Sequence, residues 1–296
     1  MTAAAPTLVV LAAGMGSRYG GLKQLEGVGP PPERATLMEY SLFDARRAGF
    51  GDVVFVIRPD MEAGFRDYAS RFGSRVRWAT AIQEIESGRS KPWGTAQAVL
   101  AAEPAVHGPF AVLNADDFYG AAAFAAIADF LAGVAPGGLP TFALAGYRLM
   151  DTLSDAGAVN RGYCRSDRTG WLKSIEEVTG LARTKAGGYE GQGVSGRVTL
   201  EGTALVSMSL WAFTPDVFPL LRDAFTAFRR TADQQQDELL LPAVIQEAVG
   251  RGAARVRVLD PKSQWWGITH PGDRPKVEAA LARVVALGSY PSRLWG

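Results

Sequence analysis

A glycine-containing segment directly after an apolar run constrains this chain more than any other feature of its sequence. The run Leu8–Leu11 is typical of a buried strand, and Gly14–Arg18 follows it, with Lys23 five residues later. Backbone N–H groups can approach a phosphate closely at glycine, and nearby cations can neutralise its charge. Tyr19 stands where the dinucleotide fingerprint needs a third glycine, and no Gly-Lys-Ser or Gly-Lys-Thr follows as in a Walker loop. The pattern predicts a phosphate-binding loop, and the alternative is a glycine turn with two solvated cations.

Apolar runs alternate with amphipathic stretches over the first 130 or so residues. The sequence predicts strands over Leu8–Leu11, Val53–Ile57, Val76–Ala81 and Phe110–Leu113, and helices over Met38–Ala48, Glu62–Phe72, Thr95–Ala102 and Ala121–Leu131. This alternation is typical of crossover units, which build a parallel sheet with helices on both faces. Ligands of such sheets bind at the carboxyl ends of the strands.

The second half of the chain has a mixed pattern. The sequence predicts strands over Thr141–Arg148 and Ala254–Leu259, and a strand interrupted by polar residues over Thr199–Phe213. It also predicts a hairpin of Val159–Arg165 and Leu172–Val178 around an Asp167–Gly170 turn, and helices over Val217–Phe228, Leu239–Val249 and Lys276–Leu287. Thr214 is the predicted N-cap of the first of these helices. The expected fold class is therefore α/β: a Rossmann-like, mostly parallel sheet flanked by helices, followed by a mixed half.

Composition excludes several classes of protein. The 296 residues suggest one large domain or two modest ones, and a single cysteine, Cys164, rules out an intramolecular disulfide and a Cys-rich zinc site. A net charge of +1 argues against bulk electrostatic binding of nucleic acid. The apolar run Thr7–Ala13 is too short to span a membrane and lacks the basic flank of a signal peptide. We expect a cytoplasmic protein with no nucleic-acid or membrane partner.

Three further positions have side chains or backbone that could contact a ligand, each with a local structural role as the alternative. Asp116 follows a predicted strand, where an aspartate usually serves a turn or a helix cap, and its carboxylate oxygens could otherwise bind a cation. Gln83 offers both donor and acceptor atoms to a base edge, or is a polar surface residue. Gly94 allows a base or ribose to lie against backbone, or marks the entry to a helix.

These segments together resemble the sugar-phosphate nucleotidyltransferases, the nucleotide-sugar pyrophosphorylases. The resemblance extends in order from Leu8 to His270. It rests on the segments Leu11–Arg18 with Lys23, Gln83 with Pro92–Ala98, Asn114–Gly120, Arg161-Gly162 with Ser174–Glu177, Ser209–Asp216, and Asp237–Pro242.

The resemblance implies a reaction and a set of site residues. The phosphate of a sugar 1-phosphate attacks the α-phosphorus of a nucleoside triphosphate, and pyrophosphate leaves. Arg18 would hold the pyrophosphate, Lys23 would stabilise charge on the α-phosphate, and Asp116 would bind Mg²⁺ (or Mn²⁺). The implied nucleotide-binding residues are Ala13, Gly14, Gly16, Gln83, Gly94 and Asp116, and the implied acceptor-binding residues are Gly162 and Glu177.

The resemblance also implies how the chain is divided. A single domain over residues 1–296 would hold a nucleotide-binding half, about 1–135, and an acceptor-binding half, about 136–296. The oligomeric state stays open.

Two positions depart from the pattern of the hexose-1-phosphate members. Val178 stands where a lysine usually holds the sugar phosphate, and Gly267 stands where a Trp-x-Asp pattern has a second metal-binding aspartate. Candidates for the missing ligand are Asp117, Asp273, or substrate oxygens and water, and candidates for the missing charge are Lys173, Arg161 and His270. Two other functions therefore stay open: a phosphocholine or polyol-phosphate cytidylyltransferase, and a non-catalytic nucleotide-binding regulator.

Overall fold

The computed structural model describes residues 5–14, 26–135, 137–185, 187–233 and 235–296. Its strands are β1 (Thr7–Leu11), β2 (Val53–Ile57), β3 (Trp78–Ile82), β4 (Phe110–Asn114), β5 (Asp117–Phe118), β6 (Thr141–Arg148), β7 (Val159–Ser166), β8 (Leu172–Arg183), β9 (Tyr189–Gly193), β10 (Gly196–Leu200), β11 (Leu205–Phe213), β12 (Arg255–Leu259) and β13 (Trp266–Gly267). Its α-helices are α1 (Leu37–Arg47), α2 (Glu62–Ser70), α3 (Thr95–Ala101), α4 (Ala121–Gly133), α5 (Val217–Phe228), α6 (Leu241–Gly250) and α7 (Arg274–Ala286).

Within the described ranges, one eleven-stranded sheet passes through both halves of the chain. The strands β3, β2, β1 and β4 pair in parallel, in that order. Strand β11 pairs antiparallel with β4 and joins this parallel part to the second half, where it also pairs antiparallel with β6 and β7. Strands β7 to β10 continue as antiparallel neighbours, and β12 pairs in parallel with β6. The predicted α/β class, with a parallel first part and a mixed second part, is confirmed.

Both faces of the sheet are covered by helices. Alternate residues of β1 belong to different cores: Leu8 and Val10 pack with α1, α2, α4 and α7, whereas Val9 packs with α3, α5 and α6. Burial on both faces explains why the first strands read as continuous apolar runs rather than as alternating patterns. No helix in the described part of the chain combines the length and apolar character that crossing a bilayer requires.

The structure corrects three local predictions in the second half. The predicted strand Thr199–Phe213 is two strands, because a turn closed by the Ala204 N–H to Glu201 O bond separates β10 from β11. Helix α6 begins at Leu241 rather than Leu239, because Leu240 has an extended backbone with ψ of 135° and is the N-cap. Helix α5 begins at Val217, and the Thr214 hydroxyl donates to the Asp216 carboxylate rather than accepting a backbone N–H.

Candidate active site

Strands β1 and β4 end side by side, and this edge of the sheet positions the first part of the site. Leu11 is the partner of Asn114, and the Ala115 N–H donates to Leu11 O at 3.1 Å. The chain leaving β1 is held by Arg58, whose Nη1 donates to Ala13 O at 3.0 Å and to Gly14 O at 3.4 Å. Sequence reasoning missed Arg58, which follows β2 and carries no recognisable pattern. Gly16, Arg18 and Lys23 lie outside the described residues.

A cavity of about 430 Å³ lies at this edge. That volume is within the range of small-molecule pockets. Among the described residues its lining is Leu11, Ala13, Gly14, Gln83, Lys91, Pro92, Gly94, Thr95, Ala98, Asn114, Asp116 and Glu238. Five residues that the sequence suggested for nucleotide binding therefore meet in one cavity: Ala13, Gly14, Gln83, Gly94 and Asp116.

The Gln83 side chain has a fixed orientation in this cavity. Its Nε2 donates to Gly94 O at 2.9 Å and to Gln97 Oε1 at 3.1 Å. Gln97 cannot turn its amide over, because its Oε1 accepts from the Trp93 N–H and its Nε2 donates to Glu84 O. Gln83 is therefore an internal, buried residue whose two N–H donors are used within the protein, which leaves its oxygen to accept from a ligand.

Gly94 lines the cavity, but its lack of a side chain is explained by the protein's own backbone. Its φ is +101°, and a Cβ there would stand 2.7 Å from Leu239 O and 3.1 Å from Glu238 Cβ. The chain around Leu239 crosses this position and donates from its N–H to Trp93 O at 2.7 Å. Glycine at 94 thus permits the segment before α6 to form one wall of the cavity.

Asp116 and Asp117 have different surroundings. Asp116 is exposed on the cavity, whereas Asp117 is buried and accepts from Asn114 Nδ2 and Tyr119 Oη at 3.2 Å each. Burial, reinforced by the negative charge of Asp116, raises the pKa of Asp117 well above its ordinary value. Of the two adjacent carboxylates, only Asp116 offers an accessible anionic ligand.

The hairpin that carries the suggested acceptor residues lies beyond β11. Gly162 of β7 is the partner of Ser207 in β11 and of Glu177 in β8. A Cβ on Gly162 would contact Ser207 and Ile175, on the same face of the sheet that packs against α3 and α6. Glu177 is exposed there. Gly162 and Glu177 are thus adjacent to each other but do not line the nucleotide-side cavity.

The structure gives each residue proposed to replace the missing lysine a local partner. Val178 is fully buried in the other core, so no charged group projects from that position. Arg161 is also buried and donates to Thr152 O, and burial lowers its pKa to about 10. Lys173 lies 3.6 Å from the Asp167 carboxylate, and His270 Nε2 lies 3.0 Å from Ala158 O. Arg161, Lys173 and His270 do not line the nucleotide-side cavity.

A second cavity, of about 510 Å³, contains the segment that lacks the second aspartate. It is lined in part by Arg161, Trp265, Gly267 and Asp273 and lies on the face of the sheet that carries α7. A Cβ on Gly267 would stand 2.6 Å from Asp117 Oδ1 and 2.4 Å from the Trp265 ring, so position 267 has no room for a side chain. Asp273 accepts from Ser154 Oγ and from the His270 N–H.

The residues around the first cavity fit a magnesium ion that takes most of its ligands from phosphate oxygens and water. Within the described residues, no group of three or more His, Cys, Asp or Glu side chains could hold a metal ion. Mg²⁺ is usually bound through one or two carboxylates, with phosphate oxygens and water completing its shell. Asp116, exposed on the cavity beside Asn114, fits that role.

Known proteins share this architecture, although their sequences differ widely. No family model matches the sequence, and a comparison with curated proteins found no similar chain. The inositol-1-phosphate CTP transferase from T. maritima is similar in structure, with 16% identity and a TM-score of 0.63 over 95% of this chain and 96% of that one. UDP-glucose pyrophosphorylase complexed with UDP-glucose is 13% identical, with a TM-score of 0.61 over 95% of this chain and 99% of that one. The apo form of a UDP-glucose pyrophosphorylase is 14% identical, with a TM-score of 0.58 over the same shares of the two chains. The chain therefore has the fold that these nucleotidyltransferases share.

Proposed function

We propose that the chain is a Mg²⁺-dependent nucleotidyltransferase that joins a nucleoside monophosphate to a sugar 1-phosphate. The observation that carries this proposal is the cavity at the ends of β1 and β4. It brings Ala13, Gly14, Gln83, Gly94 and Asp116 together on the fold of known nucleotidyltransferases. The reaction would release pyrophosphate and form a nucleoside-diphosphate sugar.

The nucleotide would lie along this cavity with its phosphates at the Gly14 end and its base at the Gln83 end. Gly14 lies three residues after the end of β1, and Arg58 fixes the backbone there. Gln83 and Gly94 lie next to each other, since the Gln83 amide donates to Gly94 O. Gln83 Oε1 would accept a hydrogen bond from an N–H group of the base.

The chemistry would require positioning and charge stabilisation more than covalent participation of the protein. A phosphate oxygen of the acceptor forms a bond to the α-phosphorus, while the bond from that phosphorus to the pyrophosphate oxygen breaks. Asp116 would hold Mg²⁺, which supplies positive charge to the reacting phosphates. Arg18 would bind the leaving pyrophosphate and Lys23 would stabilise charge on the α-phosphate.

The acceptor would lie against the β7–β8 hairpin. Glu177 is exposed and can accept hydrogen bonds from hydroxyl groups, and Gly162 is its partner in the adjacent strand. This assignment makes the acceptor a polyhydroxylated phosphate ester.

One observation favours a second candidate, a polyol-phosphate cytidylyltransferase. Val178 is buried, and the candidate replacement cations have protein partners, so the acceptor phosphate lacks the lysine of hexose-1-phosphate members. A structure similar to this chain is an inositol-1-phosphate CTP transferase. The two candidates differ in acceptor and base, not in the reaction at the α-phosphorus.

Pyrophosphate release tests both candidates and separates them. The purified chain would be incubated with each nucleoside triphosphate and with hexose 1-phosphates, inositol 1-phosphate and phosphocholine, in the presence of Mg²⁺. A hexose 1-phosphate supports the first proposal, and inositol 1-phosphate or phosphocholine with CTP supports the second. Triphosphate binding without pyrophosphate release from any pair contradicts both and favours a nucleotide-binding regulator.

A further inference from the structure

We infer that α6 couples the nucleotide cavity to the acceptor hairpin, and that Gln246 on this helix is a positioning residue for the acceptor. The inference rests on the proposed function, because it concerns the two substrate subsites of that reaction. It arises from contacts at the two ends of one short helix.

The N-terminal end of α6 is bonded to the wall of the nucleotide cavity. The Leu241 N–H donates to Thr95 Oγ1 at 2.8 Å, and the Ala96 N–H donates to Leu239 O at 3.0 Å. Lys91 Nζ lies 2.6 Å from Glu238 Oε1, and both side chains line the cavity. A nucleotide in the cavity therefore contacts the segment that leads directly into α6.

The body of α6 is bonded to the acceptor strand. Gln246 Oε1 accepts from the Ile175 N–H at 2.6 Å. On its other side Ile175 pairs with Cys164 of β7, whereas the pairing of β8 with β9 begins at Thr179. At Ile175, two residues before Glu177, the Gln246 side chain therefore accepts the backbone hydrogen bond that a neighbouring strand would otherwise accept from β8.

The two contacts are joined by little more than one helical turn. Leu241 and Gln246 are five residues apart, which corresponds to roughly 7.5 Å along a helix axis. Val244 and Ile245 between them are buried, which fixes the helix against the sheet. A nucleotide that holds the start of α6 would also hold β8 at Ile175, and so Glu177. Binding of either substrate should then favour binding of the other by the same factor.

Kinetics on two variants of Gln246 test the positioning role. Gln246→Leu removes the acceptor for the Ile175 N–H, and we expect about a tenfold rise in the acceptor KM. The kcat and the triphosphate Kd measured without acceptor should change less than about twofold, whereas lost coupling should raise the triphosphate KM at saturating acceptor. Gln246→Glu keeps an oxygen at this position and should restore the acceptor KM. Glu247→Ala, an exposed neighbour on the same helix, is the matched control.

A double-mutant cycle shows whether Gln246 acts through Glu177. In the Glu177→Gln background the Gln246→Leu change should raise the acceptor KM much less than in the wild-type chain, because the contact it positions is already lost. Acceptor binding measured calorimetrically should be several-fold tighter with a non-hydrolysable triphosphate analogue than without it, and Gln246→Leu should reduce this ratio. Hydrogen exchange at the Ile175 amide reports the contact itself, independently of turnover.

The outcomes of these measurements are distinct. An active wild-type chain in which Gln246→Leu leaves the acceptor KM unchanged, or weakens triphosphate binding in the absence of acceptor by the same factor, overturns this inference and leaves the proposed function intact. Additive effects of the Gln246 and Glu177 changes also overturn it. A wild-type chain that releases no pyrophosphate with any substrate pair overturns the proposed function, and this inference with it.

Discussion

Gln83 can present only its side-chain oxygen to a nucleotide, although the sequence alone allows either end of its amide. The difference comes from Gln97, whose own amide is fixed by the backbone of Trp93 and Glu84. A spacing of fourteen residues between the two glutamines gives no indication of this contact. At the scale of single residues, the sequence indicated that Gln83 can form hydrogen bonds with a ligand. The neighbouring Gln97 determines that only the Gln83 side-chain oxygen faces that ligand.

Asp116 should be required for turnover but not for folding. Asp116→Asn keeps the size of the side chain and removes its charge, so we expect kcat to fall by at least about 100-fold, since a metal contact on the reacting phosphates contributes several kcal/mol. Pyrophosphate release under a Mg²⁺ titration measures this. Asp129→Asn on α4 is the control, because Asp129 is also exposed. Undiminished turnover by Asp116→Asn in chelator-treated buffer would contradict the role.

Lys23 should act on the transition state more than on ground-state binding. Lys23→Ala should lower kcat by more than it raises the triphosphate Kd, because charge on the α-phosphate develops as the acceptor attacks. Steady-state kinetics and calorimetric titration of the triphosphate give the two quantities. Lys185→Ala, an exposed lysine of the β8–β9 connection, serves for comparison. An unchanged kcat at saturating triphosphate means that this loop is not the catalytic centre.

At the scale of elements, the nucleotide cavity is built by segments far apart in sequence. Residues before α3 form one wall, and the segment that leads into α6 crosses them. Arg89 strengthens this crossing: its guanidinium stacks 3.5 Å from the Trp93 ring centroid and donates to Asp237 O at 2.9 Å. The bonds from Arg89 to Asp237 and from Leu239 to Trp93 hold the segment before α6 against the wall of the nucleotide cavity.

Gly94→Ala should destabilise the fold more than the same change at a comparable glycine. Both Gly94 and Gly88 have positive φ, of +101° and +88°, but only Gly94 has backbone within 3 Å of the new Cβ. We expect Gly88→Ala to cost about 1 kcal/mol of unfolding free energy from its φ alone, and Gly94→Ala to cost roughly 1–3 kcal/mol more because Leu239 must move. Urea denaturation of the two variants measures the difference. Equal decreases in unfolding free energy for the two variants would show that the Leu239 backbone imposes no steric constraint on position 94.

At the scale of the whole molecule, the C-terminal residues close the core on one face of the sheet. Tyr290 packs edge-on against Tyr40 at 5.1 Å, and Trp295 packs against Phe72 at 5.3 Å between ring centroids. The Tyr290 hydroxyl donates to Asp44 Oδ2 at 2.7 Å, while Asp44 Oδ1 is buried without a hydrogen-bond partner. Burial raises the pKa of Asp44 from its ordinary value of 3.8 to about 7.

This carboxyl group makes stability depend on pH in a defined direction. The folded chain holds the Asp44 proton more tightly than the unfolded chain, so the unfolding free energy should fall as pH rises from about 3.8 to about 7. A shift of this size corresponds to about 4 kcal/mol. Asp44→Asn should flatten the profile by about that amount, as measured by urea denaturation between pH 4 and pH 8. Asp52→Asn, at an exposed position, serves as the comparison variant. An equally steep profile in Asp44→Asn would refute the assignment.

The sequence by itself determined the order and type of most elements. Strands β2 and β6 and helix α5 have the bounds that their apolar patterns predict, because burial on one or two faces imposes a periodicity that is local in the chain. The predicted end of β1 matches the structure, and β4 extends one residue beyond its predicted end, so the edge at which Gly14 and Asp116 meet was also predictable. The prediction was wrong at Thr199–Phe213, where the polar residues that interrupt the apolar pattern form a turn between two separate strands.

Only the tertiary structure decided which atoms the site offers and what surrounds them. Tertiary contacts fix the orientation of the Gln83 amide, and the fold buries Val178 and Asp117. The backbone of Leu239 lies against Gly94, and the Gln246 side chain accepts from the Ile175 N–H. Each of these results depends on contacts between segments that pattern reading treats separately, such as Leu241 and Thr95, 146 positions apart. A local pattern predicts which side chains are buried, because the free energy of burial is non-directional and requires no particular partner. It does not predict which groups they contact, because hydrogen bonds and steric exclusion depend on specific neighbours.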